Sequence, residues 1–348
     1  MNTLILSLSF VLVPSGAAAG ASAKAPPQLE FPAPPEPPRI KWVRTIRTLD
    51  DLKGRKRGLL SRLGDAVLGS DSGAPLFERP YGVWADAQGR VLMPDGSQGV
   101  VHILDLAAGK DRRFAGEGAG ALQGPVSAVT DPDGNIYVSD AGDNSVKAFG
   151  RDLKFRWKLE RWEGDGSFGR PSGMAWSPKG ELLVIDAGRR SVVAVSPGGS
   201  FLREFLRGGK DDGALGMTAN LWVDKDGVVY EADPVVSRIH LFSPDGKIVF
   251  GFGENGDRPG YMARPRGVAT DSDGNIYVVD AVFNRVQIFD RQGRLLLYFS
   301  APGSRDGESN LPAGIFIDAK DTVYLVDAGN ARLQLFQYIK VPASAYKD

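Results

Sequence analysis

The chain has 348 residues, with 42 Lys plus Arg balanced by 42 Asp plus Glu, no cysteine, and only two histidines, His102 and His240. This composition excludes disulfides, thiolate metal sites and thiol catalysis, and leaves too few imidazoles for a histidine-rich zinc centre. It also lacks the basic excess of a nucleic-acid binder, while its 44 glycines suit a turn-rich β protein.

Residues 1–23 read as a signal peptide. Leu4 to Val13 form an apolar run, Pro14 and Gly16 break it, and Ala21-Ser22-Ala23 offers a small-residue cleavage site before Lys24. The run is too short to span a bilayer, so the expected location is periplasmic or extracellular. Residues 24–38 form a Pro-rich linker that is either an unstructured leader or a semi-rigid polyproline spacer. Ile40 to Ile46 then has strand character. The connection over 51–78 holds Lys53, Arg55, Lys56 and Arg57, followed by Leu59, Leu60, Leu63, Ala66 and Val67 at helical spacing. One short amphipathic helix is expected there. It either packs on the rest of the domain or makes peripheral membrane or partner contact through residues 53–68.

Within residues 39–348 one pattern recurs six times. Its clearest copy is Arg264-Pro265-Arg266-Gly267-Val268-Ala269-Thr270-Asp271, the turn Ser272-Asp273-Gly274, the strand Asn275-Ile276-Tyr277-Val278-Val279-Asp280, and then Asn284-Arg285-Val286-Gln287-Ile288-Phe289. The aspartate that ends the second strand recurs at Asp95, Asp140, Asp186, Asp233, Asp280 and Asp327. A period in this range marks a propeller of four-stranded blades. The fold expected is all-β: a six-bladed β-propeller of four-stranded antiparallel blades, strands a to d from the axis outward. After Tyr338 too little chain remains for a last outer strand, so the Ile40 to Ile46 segment is expected to complete blade six and close the ring.

These units resemble the NHL repeat family, of the exported bacterial type, over about residues 79–338. Blade six is nearest to the family pattern with Asp327-Ala328-Gly329-Asn330-Ala331-Arg332, and blade one departs most, with Pro94 before Asp95. The resemblance implies a scaffold role. Some NHL propellers bind RNA through basic faces, a reading opposed here by net neutrality and the signal segment. Peptide-amidating lyases are similar to NHL propellers and rely on several zinc-binding histidines, which this chain cannot supply. A carboxylate-and-amide metal site at the central channel, including Asn220, is the remaining route to a metal-dependent hydrolase or lyase.

Function on a rigid propeller is expected in the loops between strands b and c and at the channel mouth. In blades four and five these loops become apolar, with Val235, Val236, Val282 and Phe283 where solvent-facing residues belong. They form either an exposed partner patch or a surface covered by the 59–68 helix. Arg266, Tyr261 and Met262 lie in neighbouring loops and complete the candidate binding set. Arg79, Arg170 and Arg264 share one repeat position, which favours a repeated scaffold bond. The six strand-ending aspartates are expected to cap turns rather than hold metal. Glu231 stands where the other blades have Met93, Val138, Val184, Val278 and Leu325, and a four-residue hairpin places it opposite His240. Such a pair is either an acid/base site or a satisfied structural pair. His102 holds the same place in blade one, across the ring from His240. The resulting expectation is a monomeric binding propeller for a protein, peptide or glycan, with no metal, no cofactor and no nucleic acid.

Overall fold

The computed structural model describes residues 29–33, 35–54, 73–164, 166–207 and 220–340. The signal segment, the Arg55 to Arg57 run and the helix expected over 59–68 lie outside the described residues. The rest forms a six-bladed propeller whose blades are antiparallel sheets in simple up-and-down order. Blade five is representative, with strands Pro265–Thr270, Ile276–Asp280, Arg285–Phe289 and Leu295–Phe299. Strand Ile276–Asp280 is buried on both faces between neighbouring blades, which is why it reads as a continuous apolar run. The outermost strand alternates between half-buried and exposed positions up to the buried Phe299, because one of its faces meets water.

The ring closes as the N-terminal strand predicts. Ile40–Ile46 pairs antiparallel with Arg332–Tyr338, Ile40 opposite Tyr338 and Ile46 opposite Leu333, and so supplies the outer strand of blade six. The Pro-rich segment, where described, is neither a free leader nor a spacer. Glu30–Phe31 pairs with Lys41 and Ile40 as a fifth strand. The Phe31 ring lies 6.0 Å from that of Phe299 and so ties blade six to blade five. The α-helix Leu49–Leu52 opens the long connection. Thr48 caps it, accepting from the Asp51 N–H while the Asp51 carboxylate accepts from the Thr48 N–H. Leu52 packs with Phe77 in the core between blades one and six.

The recurrent Pro-x-Gly at the start of strand a has a steric cause. Inner strands crowd around the axis, and a Cβ on Gly267 would come within 2.6 Å of the Ala313 carbonyl oxygen. One on Gly314 would meet the Tyr81 carbonyl oxygen at the same 2.6 Å. Only hydrogen fits there, so adjacent blades pack backbone to backbone. Farther out the blades are joined by side chains. Trp84 Nε1 donates to Thr130 Oγ1 of the next blade at 3.0 Å, and Trp222 Nε1 does the same to Thr270 Oγ1 at 2.9 Å.

Candidate functional site

The strand-ending aspartates are fully buried and act as staples. Asp280 accepts N–H bonds from Ala263 and Arg264 ahead of strand a and from Val282 and Phe283 in its own b–c loop. Asp186 repeats this with Gly169, Arg170, Gly188 and Arg189. Asp95 does so with Glu78, Arg79, Ser97 and Gln98. Each carboxylate therefore fixes one b–c loop against the segment that leads into its blade. This loop face is thus held in place even though it is made of loops.

These loops surround a cavity of about 660 Å³ at the channel mouth. Arg79, Arg170, Arg264 and Arg266 line it together with Tyr81, Val126, Ala141 and Pro234, and among the described residues no aspartate or glutamate does. The scaffold bond expected of Arg79, Arg170 and Arg264 exists, but the backbone N–H makes it. Among the described residues, the three guanidinium groups have no hydrogen-bond or ion-pair partner, and all three side chains are exposed. Arg266 is half-buried and lies 6.0 Å over the Tyr81 ring. The signal was present in the sequence. In blades two and six the Arg79 position is Gly124 and Leu311, and each of those blades instead sets a buried cation on its aspartate. Lys147 Nζ lies 2.6 Å from Asp140, and Arg332 Nε lies 2.6 Å from Asp327.

The apolar rim is partly as expected. Val235, Val236 and Val282 are 62%, 42% and 53% exposed. Phe283 is half-buried instead, with the Arg285 guanidinium 4.5 Å over its ring. Met262 cannot serve as a contact residue. It is fully buried in the core between blades four and five, its backbone N–H bonded to the Glu254 carbonyl. Tyr261 is half-buried, and its carbonyl accepts from Gln287 Nε2 at 2.8 Å.

Glu231 and His240 are direct cross-strand partners, with Nδ1 2.8 Å from the carboxylate, and both are buried. With Asp233 they form a group of side chains able to offer metal-ligand atoms, which lie within 4.8 Å of one another. None of the three lines the cavity. His102 is opposite Met93 as expected, but its partner is Asp111 on the next strand, at 2.8 Å. That contact is diagonal across strands c and d and carries no local sequence signal. A second repeated polar set lies in the a–b turns. Tyr137, Tyr230, Tyr277 and Tyr324 each donate to an aspartate six residues earlier. Burial, with the adjacent carboxylate, pushes all four phenols well above their ordinary range.

The fold is a six-bladed propeller, and residues 262–289 within it match the family model described as "NHL repeat". No curated protein sequence matches the chain. Among solved structures it is similar to virginiamycin B lyase from Staphylococcus aureus (TM-score 0.55, 14% identity, covering 75% of this chain and 95% of that one). It is also similar to a gluconolactonase from Xanthomonas campestris (TM-score 0.58, 16% identity, 76% and 87%). The WD40 propeller domain of Doa1 is a third such structure (TM-score 0.53, 13% identity, 77% and 80%). At these identities the likeness is one of fold.

Proposed function

We propose that this protein is an exported, monomeric, non-enzymatic binding module that presents its b–c loop face to a protein, peptide or glycan partner. The observation that carries this reading is the exposed apolar rim: Val235 and Val236 of blade four and Val282 of the neighbouring blade five all lie exposed on loops pinned by buried aspartates. Exposed valines on rigid loops are a standing cost in water, which a partner surface removes. Replacing Val235→Ser together with Val282→Ser removes apolar contact area without touching a core residue. Partner capture is expected to fall at least tenfold while the melting temperature stays within about 1 °C, in line with the small effect of surface substitutions. Equal capture by both forms refutes the site. Export is tested by sequencing the N-terminus of the protein recovered from outside the cytoplasm, with a start near Lys24 expected.

The metal-dependent hydrolase or lyase reading has one observation in its favour, the Glu231, Asp233 and His240 group. Its three side chains are buried within blade four and away from the channel cavity, so a substrate in that cavity does not reach them. Metal content of the purified protein, compared with a His240→Gln variant, tests that reading.

A further inference from the structure

The rim accounts for the edge of the loop face but not for the arginines inside it. We propose that the channel mouth is a binding site for a small ligand carrying two or more oxyanionic groups, carboxylate or phosphate, held by Arg79, Arg170, Arg264 and Arg266. This site is distinct from the rim and is tested by different substitutions.

Four observations support it. First, the chain is neutral overall, yet among the described residues the cavity lining has four guanidinium groups and no carboxylate. Like charges around a shared concavity repel one another, and an anion between them turns that repulsion into attraction. Second, among the described residues the guanidinium groups of Arg79, Arg170 and Arg264 have no partner, and that of Arg266 rests only on the Tyr81 ring, so their donors are free for planar, bidentate pairing with an oxyanion. Third, the strand-ending aspartates of the three blades that carry Arg79, Arg170 and Arg264 are sealed away. Asp95, Asp186 and Asp280 are fully buried and saturated by backbone N–H donors. A ligand in the cavity meets guanidinium at contact distance and these carboxylates only behind a layer of N–H dipoles. Fourth, a cavity of about 660 Å³ suits a compact ligand. Tyr81 and Val126 supply a face for the uncharged part of such a ligand.

Among the described residues, the aspartates of blades one, three and five have no internal cation like those of blades two and six, so a purely structural role for the arginines is the competing reading. The experiment separates that role from binding. Citrate, inorganic pyrophosphate, trehalose and a short single-stranded RNA are titrated calorimetrically at low salt into the full chain, into Arg170→Gln/Arg264→Gln, and into Val235→Ser/Val282→Ser. The expected result is saturable binding of citrate or pyrophosphate at one site per chain, weakened by salt. Affinity should fall at least tenfold in the arginine variant and stay unchanged in the valine variant, and the preferred anion identifies the oxyanion chemistry. Three results overturn the proposal: no saturable binding of either anion, wild-type affinity in an arginine variant that only melts earlier, or binding confined to trehalose or RNA.

Discussion

The strand that closes the ring offers the most quantitative test of the fold. Ile40 and Ile46 are fully buried at opposite ends of the strand, Ile40 among Phe299, Phe336 and Tyr338 and Ile46 among Leu52, Phe77 and Leu333. Truncating a buried isoleucine to alanine costs about 2–5 kcal/mol, combining lost transfer energy and the cavity left behind. The two positions are about 20 Å apart at ~3.3 Å per residue, too far to share a cavity, so their effects should add. Ile40→Ala/Ile46→Ala is therefore expected to lose about 4–10 kcal/mol, a large part of a typical domain stability of about 5–15 kcal/mol. Val43, 47% exposed on the same strand, serves as control, and Val43→Ala should stay within about 0.5 kcal/mol. Urea unfolding followed by tryptophan fluorescence reads all three. A double variant with the wild-type midpoint, or a Val43→Ala variant that loses as much, refutes the closure argument.

Three further perturbations test the polar framework. Asp280→Ala strands four N–H groups and should cost about 3 kcal/mol or more by urea unfolding; an unchanged midpoint contradicts the staple role. His240→Leu leaves the Glu231 carboxylate buried without its imidazole and should cost about 3 kcal/mol, most of it recovered in Glu231→Leu/His240→Leu, as for a structural pair. The Arg203 guanidinium, bonded to Glu181 at 2.7 and 2.8 Å, holds that carboxyl below its ordinary range. A depressed folded-state pKa adds stability that is complete above the unfolded value of about 4.3 and is lost as pH falls through the folded value. Arg203 is 41% exposed, so the gain is screened to about 0.5 kcal/mol. Glu181→Gln should trail the wild type by that amount at pH 7, and the gap should close on acidification; a gap that does not depend on pH contradicts the assignment.

The architecture was legible because it is periodic. Six aspartates at nearly constant spacing announce the blades, and a surplus strand ahead of blade one beside a missing strand after Tyr338 announces the closure. The Glu231–His240 pairing followed from hairpin arithmetic alone. What escaped depends on how segments fold back on one another. Met262 reads as a surface loop residue, but it enters the core between blades four and five, where it packs against Gly253. Phe283 reads as exposed until Arg285, two residues on, lies over it. The arginines read as scaffold because they repeat. The repeat is real, but it belongs to their N–H groups, and the side chains are left to the cavity.

The central claim is that the b–c loop face of blades four and five is where this protein meets its partner. The direct test is quantitative capture from the envelope fraction of the source cell by the wild type and by Val235→Ser/Val282→Ser at matched folded concentration, followed by affinity measurement with the purified partner. The account predicts a partner retained by the wild type and bound at least tenfold more weakly by the variant, with both forms equally stable. A partner bound equally well by both contradicts it and moves the interaction to another surface.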